Sequence, residues 1–138
     1  MKKAVFFDID GTLWDDRMQV PKSTVLAIRK LRENGHYAFI CSGRSRAAIQ
    51  AKELLTDIGF DGILAACGTY IEYSGDIVFE RTLSNEELKE LTDCFARQKK
   101  PLILEGKGCL YADMEEFCEN AYIVNLKDIA ALAARKKT

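Results

Sequence analysis

The chain has 138 residues, 48% of them hydrophobic and 30% charged, a composition typical of an ordinary globular protein. Its 20 basic and 21 acidic side chains give a net charge of −1, which excludes the strongly basic surface expected of a nucleic-acid-binding domain. The length suffices for one domain, or for a small core that carries part of an insertion.

The cysteines and the N-terminal segment indicate the cellular compartment to which the chain is suited. The 5 cysteines are widely spaced, odd in number and without a Cys-x-x-Cys pair, which disfavours a zinc site or a disulfide framework and favours free thiols in a reducing cytosol. The apolar run after Lys2 and Lys3 is interrupted at Asp8, so it predicts neither a signal peptide nor a membrane span. We therefore expect a cytoplasmic protein without membrane contact.

The first predicted strand covers residues 3–8, and its apolar run Ala4–Phe7 is too continuous to alternate, which indicates burial on both faces. Asp8 and Asp10 follow where this strand ends, and Gly11 permits a sharp turn. Chemistry in open α/β sheets lies beyond the carboxyl ends of the strands, and two acids buried there need a compensating cation or donors. Taken alone, Asp10-Gly11 is also a common turn pair. The distal Glu that a helix-loop-helix calcium site requires is absent.

The elements predicted up to residue 66 alternate between strands and helices. They are a strand over residues 3–8, a helix over 21–34, a strand over 37–41, a helix to residue 58 and a strand over 62–66. This β-α-β-α-β order predicts an α/β fold with a parallel sheet and right-handed crossovers.

The pattern changes at Cys67-Gly68, where short strands and turns replace the alternation. A hairpin is predicted over residues 69–81, and Ser84 then begins a helix whose Glu87 completes a capping box. The remaining predicted elements are a hairpin over residues 102–111, a short helix from Asp113 and an Ala-rich helix over 126–137. We therefore predict a core domain over residues 1–66 and an α+β module over 67–138.

Two motifs of this chain resemble those of a known family. Residues 6–13, which contain Asp8-Ile9-Asp10-Gly11-Thr12-Leu13, resemble the first motif of the haloacid dehalogenase superfamily of phosphotransferases. Ser42-Gly43-Arg44, at the end of the second strand, resembles the second motif. An insertion after the third strand resembles the Cof-type subfamily, whose cap domain enters there. The resemblance implies a Rossmann-like half-core followed by part of an α+β cap.

This resemblance also implies a chemistry for the matched residues. Asp8 would attack phosphorus and form an aspartyl-phosphate, while Asp10 would protonate the leaving oxygen and later activate water. The Asp8 carboxylate and the Asp10 backbone carbonyl would bind Mg²⁺. Ser42 and the amides of Gly43 and Arg44 would hold the phosphoryl oxygens at a helix N-terminus. The implied reaction is the hydrolysis of a small phosphorylated metabolite, such as a sugar phosphate.

Simpler interpretations of these and other polar residues stay open. Ser42 alone is equally a helix cap, and Arg44 a solvated arginine at a helix start. His36, the only histidine, is expected at the surface rather than in catalysis. Trp14 is expected to pack rather than to bind substrate, and Lys107 to lie in an ordinary turn.

Two elements of the family's chemistry have no counterpart in the sequence. The third motif supplies a lysine and the fourth, Gly-Asp-x-x-Asn-Asp, completes the magnesium site; both lie after the cap. We therefore expect a truncated chain, and the alternative function is an inactive remnant that binds phosphate or a protein partner. A response-regulator-like phosphoacceptor fits less well, because Gly-Thr-Leu and the hairpin have no place there. Without the returning strands, Ala4–Phe7 becomes an exposed apolar edge through which the chain could associate with itself.

Overall fold

The computed structural model of the chain describes residues 1–112, which contain two sheets and two α-helices. By contact density the chain divides into two compact units, residues 1–81 and 82–138. The elements of the first unit are β1 (Ala4–Phe7), α1 (Lys22–Glu33), β2 (Tyr37–Cys41), β3 (Gly62–Ala65), β4 (Tyr70–Tyr73) and β5 (Asp76–Glu80). None of the helices within residues 1–112 has the length and apolar character needed to cross a bilayer.

One five-stranded sheet, in the order β1-β2-β3-β4-β5, forms the centre of the first unit. β1 pairs with β2 and β2 with β3, both in parallel, with Phe7 opposite Ile40 and Ile40 opposite Ile63. The predicted α/β class and its parallel sheet are therefore confirmed. Because neighbouring parallel strands end at the same edge of a sheet, the segments that follow β1, β2 and β3 lie next to one another.

The core lies against one face of this sheet. α1 begins after Pro21 and ends at Asn34, as predicted, and Ile28 is its buried residue. Gly35 then adopts φ +82°, a conformation that glycine takes without the penalty of a Cβ atom. The residues of the core are Ile9, Leu13, Val20, Ile28, Ala38, Ile40, Ile49, Leu54, Ile58, Ile63, Ala65 and Tyr70.

The connection between β2 and β3 differs from the predicted continuous helix. It contains a 3₁₀ turn at Arg46–Ala48 and a π-helical turn at Glu53–Asp57, and the residues 49–52 between them include Ile49, whose backbone is not helical. The Arg46 guanidinium donates a hydrogen bond to the Ile49 carbonyl (3.1 Å), and the Gln50 amide donates one to the Ala47 carbonyl (2.9 Å). In a continuous helix, backbone N–H groups would bond these two carbonyls. Here the side chains of Arg46 and Gln50 bond them instead, and the backbone bends at this place.

β4 and β5 form the predicted hairpin, and β4 pairs antiparallel with β3. The hairpin therefore extends the core sheet, because Tyr70 lies opposite Ala65 and is itself buried. The first compact unit accordingly runs to Arg81. The domain boundary predicted after residue 66 stays a prediction. In the structure the hairpin that follows this residue belongs to the same sheet as the parallel strands.

An ion pair fastens α1 to the sheet. Arg32, near the end of α1, donates two hydrogen bonds to the carboxylate of Asp61 (3.1 and 2.7 Å), and the Ala38 N–H donates a third (2.8 Å). Burial raises the pKa of Asp61, but the hydrogen bonds from Arg32 and Ala38 outweigh it and leave that pKa below its ordinary value.

The second unit contains α2 (Asn85–Arg97) and a hairpin of β6 (Ile103–Glu105) and β7 (Leu110–Ala112). The predicted capping box is confirmed. The Glu87 N–H donates to the Ser84 hydroxyl (3.2 Å), and the Ser84 N–H donates to the Glu87 carboxylate (2.8 Å). The helices predicted from Asp113 and over residues 126–137 lie outside the described residues, as does Cys118; the cysteines within residues 1–112 are free thiols, as expected.

Candidate active site

The loop after β1 presents two carboxylates on either side of a buried anchor. Ile9 and Leu13 are fully buried, and the Leu13 N–H donates to the Ile9 carbonyl (3.1 Å). Gly11 adopts φ +74° at the bend, which favours glycine. Asp8 and Asp10 lie on either side of Ile9 in the sequence and are exposed. The buried side chains of Ile9 and Leu13 thus hold the turn in place, while the carboxylates of Asp8 and Asp10 remain accessible to solvent.

The loop after β2 is tied to the loop after β3. The Ser42 N–H donates to the Leu64 carbonyl (2.9 Å), and the Arg44 carbonyl accepts from the Ala66 N–H (2.8 Å). Ser42 is buried, and its hydroxyl accepts a hydrogen bond from the Arg44 N–H (3.2 Å). This loop leads into a 3₁₀ turn of three residues instead of the predicted helix. The amides of Gly43 and Arg44 are therefore positioned by the loop and not by the N-terminus of an α-helix.

Arg44 joins the two loops. Its Nε and Nη2 atoms donate to the two carboxylate oxygens of Asp10, each at 2.7 Å. Its guanidinium carbon also lies 5.1 Å from the centroid of the Trp14 ring, a cation–π arrangement. The hydrogen bonds from Arg44 lower the pKa of Asp10; partial burial of Asp10 opposes this effect, and the positive charge of Arg44 adds to it. Asp10 is therefore held in its ionised form.

The structure thus brings the predicted site residues to one edge of the sheet. Asp8 and Asp10 follow β1, whereas Ser42, Gly43 and Arg44 follow the neighbouring strand β2. Arg44 binds Asp10 instead of lying free in solvent, which the sequence did not indicate. His36 precedes β2, so it lies toward the opposite end of the strand, where its Nδ1 accepts a hydrogen bond from the Lys3 N–H (3.3 Å).

Some polar groups near this edge were not predicted. The Ser45 hydroxyl and the Trp14 indole N–H are buried without a hydrogen-bond partner among the described residues. Ala66 and Cys67 both adopt left-handed φ values, +49° and +54°, which are strained for residues with a Cβ atom. The only sequence signal at this place was the change of pattern at Cys67-Gly68.

Within residues 1–112, no three His, Cys, Asp or Glu side chains form a group that could hold a metal ion by themselves. Mg²⁺ is commonly held by one or two carboxylates, with water and substrate phosphate completing its octahedron. Asp8 offers an exposed carboxylate of the required oxygen type, whereas the carboxylate of Asp10 is occupied by Arg44. The residues present therefore fit a magnesium ion that is bound together with a phosphate.

Comparison with known proteins gives consistent matches. YkrA of Bacillus subtilis, a phosphatase by name, is 26% identical over 114 residues, which cover 83% of this chain and 44% of YkrA. A crystal structure of a hypothetical protein from Geobacillus kaustophilus superposes with a TM-score of 0.78 at 29% identity, over 92% of this chain and 49% of that one. The structure of a haloacid dehalogenase subclass IIB sugar phosphatase superposes with a TM-score of 0.69 at 27% identity, over 81% of this chain and 44% of that one.

The chain therefore spans about half the length of the relatives it matches. The sequence signature of the haloacid dehalogenase-like hydrolases matches residues 5–133, which is most of the chain. The predicted superfamily and its Cof-type subfamily are confirmed: this chain belongs to the haloacid dehalogenase-like hydrolases.

Proposed function

We propose that this chain carries the phosphoryl-accepting part of a phosphatase site for a small phosphate ester, such as a sugar phosphate. The observation that supports it best is the pair of 2.7 Å hydrogen bonds from Arg44 to Asp10, because they join the ends of two neighbouring parallel strands. An anion that enters between these ends meets a carboxylate nucleophile from one loop and hydrogen-bond donors from the other.

Asp8 is the nucleophile in this proposal. Its carboxylate oxygen attacks phosphorus, the bond between phosphorus and the leaving oxygen breaks, and Asp10 donates a proton to that oxygen. A water molecule then attacks the aspartyl-phosphate and gives its proton to Asp10. Inorganic phosphate leaves and the Asp8 carboxylate is regenerated. The exposure of both acids leaves them accessible to substrate and to water.

Arg44 controls when Asp10 can act. While two hydrogen bonds from Arg44 hold Asp10 ionised, Asp10 has no proton to donate. A substrate phosphate offers the guanidinium an equivalent pair of acceptor oxygens and competes for it. Once Arg44 turns to the phosphate, Asp10 loses the hydrogen bonds that lower its pKa, and the negative charge of the phosphate beside it raises that pKa further, so Asp10 can take up a proton from water. The buried Ser42 hydroxyl and the amides of Gly43 and Arg44 supply further donors to the phosphoryl oxygens.

Mg²⁺, when bound, would reduce the repulsion between the Asp8 carboxylate and a phosphate dianion. The Asp8 carboxylate and the Asp10 backbone carbonyl are the residues that would hold it. Water and the substrate phosphate would supply its other ligands.

The decisive experiment is hydrolysis of an aryl phosphate by the purified chain in the presence of Mg²⁺. We expect Asp8→Asn to lower the rate by about 10³-fold or more, because the amide cannot act as the nucleophile. Asp76→Asn is the matched control, since Asp76 is exposed at the start of β5 and plays no part in the mechanism. Equal rates for the wild type and Asp8→Asn would refute the proposal.

A second candidate function is phosphate binding without turnover. One specific observation favours it: the described residues supply too few acids to hold a metal ion unaided. In that case the wild type binds inorganic phosphate but neither hydrolyses an aryl phosphate nor acquires a phosphoryl group on Asp8. Mass spectrometry after incubation with acetyl phosphate separates the two candidates.

A further inference from the structure

The loop after β2 is held on one side by backbone hydrogen bonds to the end of β3. The Ser42 N–H donates to the Leu64 carbonyl (2.9 Å), and the Ala66 N–H donates to the Arg44 carbonyl (2.8 Å). The 3₁₀ turn that follows this loop is closed by local backbone hydrogen bonds of its own. A side chain is therefore needed to link this turn to a more distant strand.

Arg46, the first residue of the turn, supplies such a link to β4. Its Nε atom donates to the Glu72 carboxylate (3.3 Å), and its Nη1 atom donates to the Ile49 carbonyl (3.1 Å). In the sheet, β3 lies between β2 and β4, so the Arg46 side chain reaches past one strand. The side chains of Arg46 and Glu72 are only 23% and 22% exposed, so water and salt screen their attraction less than that of a surface pair.

Tyr70 orients the acid of this ion pair. Tyr70 and Glu72 are two residues apart in β4, so both side chains lie on the same face of the sheet. The Tyr70 hydroxyl donates to the carboxylate oxygen that also accepts from Arg46 (3.2 Å). Burial raises the pKa of Tyr70 and the negative charge of Glu72 raises it further, so the hydroxyl keeps its proton and remains a donor. The Glu72 carboxylate is thus held by two donors.

We propose that Arg46 and Glu72 are positioning residues for phosphate, because their ion pair holds the Gly43 and Arg44 amides in the conformation that binds it. The inference rests on the proposed function of this loop. There the Arg44 guanidinium turns from Asp10 to the phosphate, whereas the Arg44 backbone has to stay in place. If the ion pair is broken, the loop has to be ordered at the moment of binding, and this loss of conformational entropy lowers the affinity.

Hydrogen exchange in the phosphate-free protein tests the positioning by itself. The Ala66 N–H bonds to the Arg44 carbonyl and reports local opening of the loop. The Asp61 N–H bonds to the Ala38 carbonyl (2.8 Å) toward the opposite end of the strands and reports opening elsewhere. We expect Glu72→Gln to speed exchange of the Ala66 N–H by about fivefold and to leave that of the Asp61 N–H unchanged. A residue that only stabilises the fold would speed both.

Calorimetric titration with inorganic phosphate and Mg²⁺ tests the consequence for binding. Arg46→Met and Glu72→Gln should each raise the Kd by about fivefold. The double variant should raise the Kd no further than Arg46→Met does, because both changes break the same pair. Arg29→Met is the matched control, since it removes one positive charge and a hydrogen bond to the Asp57 carbonyl (2.7 Å) elsewhere in the same unit. Its Kd should equal that of the wild type.

The outcomes separate this role from the proposed function. Unchanged exchange of the Ala66 N–H in both variants, or an unchanged Kd, would overturn the positioning role. Glu72→Gln keeps the size of the side chain and an acceptor oxygen for Tyr70, so it should fold even if Arg46→Met does not. A wild type that binds no phosphate would overturn the role in binding. The phosphatase function fails by a different result, namely equal hydrolysis rates of the wild type and Asp8→Asn.

Discussion

Arg44 holds the carboxylate of Asp10 by two hydrogen bonds of 2.7 Å, and it does so across two loops that are 34 residues apart in the chain. The pair links the residue proposed as the acid–base catalyst to the loop proposed to bind phosphate. Acid–base catalysis by Asp10 and phosphate binding by the loop after β2 should therefore depend on each other, and this coupling can be measured.

The first prediction concerns the titration of Asp10 in the free protein. Because Arg44 lowers the pKa of Asp10, Arg44→Met should raise that pKa toward its ordinary value. The carboxyl carbon resonance of Asp10, followed by NMR against pH without phosphate, should therefore titrate at higher pH in Arg44→Met than in the wild type. It should titrate as in the wild type in Arg81→Met, which changes an exposed arginine of the same unit.

The second prediction uses the only tryptophan of the chain as a reporter. Trp14 contacts Arg44, so movement of the guanidinium toward a bound phosphate should change the Trp14 fluorescence. Titration with inorganic phosphate and Mg²⁺ should give a saturable signal. Ser42→Ala should weaken the apparent affinity about tenfold, as expected for one lost hydrogen bond to a charged group. Ser23→Ala, on exposed α1 surface, is the control; an unchanged affinity in Ser42→Ala would remove Ser42 from the site.

The third prediction concerns the ion pair that fastens α1. Asp61→Asn should lower the free energy of unfolding by about 1–3 kcal/mol near neutral pH, because two charge-assisted hydrogen bonds are weakened. The folded-state pKa of Asp61 is lowered, so its contribution is present above the unfolded-state pKa and is lost as the pH falls through the folded-state value. The difference between wild type and variant in urea unfolding should therefore shrink in acid. Glu33→Gln, which alters an exposed pair on the same helix, should leave stability unchanged.

The fourth prediction concerns the space beside β3. A Cβ atom added at Gly62 would overlap the Glu72 carbonyl oxygen and lie 2.9 Å from the Phe39 ring. Gly62→Ala should therefore force β3 and β4 apart and cost about 3 kcal/mol, measured by thermal or urea unfolding. Gly108→Ala, which meets no atom within 4 Å, provides the control. Equal stability of the two variants would contradict the close approach of β4 to β3.

Local signals predicted much of this fold. Pro21 and Gly35 bounded α1, the apolar run over residues 37–41 matched β2, and the Ser84–Glu87 capping box formed as expected. In each case the sequence signal and the stabilising contact lie within a few residues of each other. The α/β alternation then sufficed to place both candidate loops at one edge of the sheet.

The features that sequence reasoning missed depend on partners far along the chain or on side chains that compete with the backbone. The helix predicted between the second and third strands is interrupted where the Arg46 and Gln50 side chains bond the carbonyls of Ile49 and Ala47. The Arg44–Asp10 pair joins residues whose proximity only the sheet order creates. No local pattern distinguishes an arginine that will face a carboxylate from one that will face water.

Ala66 and Cys67, the two left-handed residues that follow β3, support the loop after β2. The Ala66 N–H donates to the Arg44 carbonyl (2.8 Å), and the Cys67 N–H donates to the Ser42 carbonyl (3.4 Å). A bend that costs conformational energy therefore positions the loop after β2. Glycine at residue 66 or 67 would adopt the same φ without that cost and would keep the donating N–H, so the bend and its hydrogen bonds should persist. The bend that joins β3 to the hairpin thus holds the loop proposed to bind phosphate through two backbone hydrogen bonds.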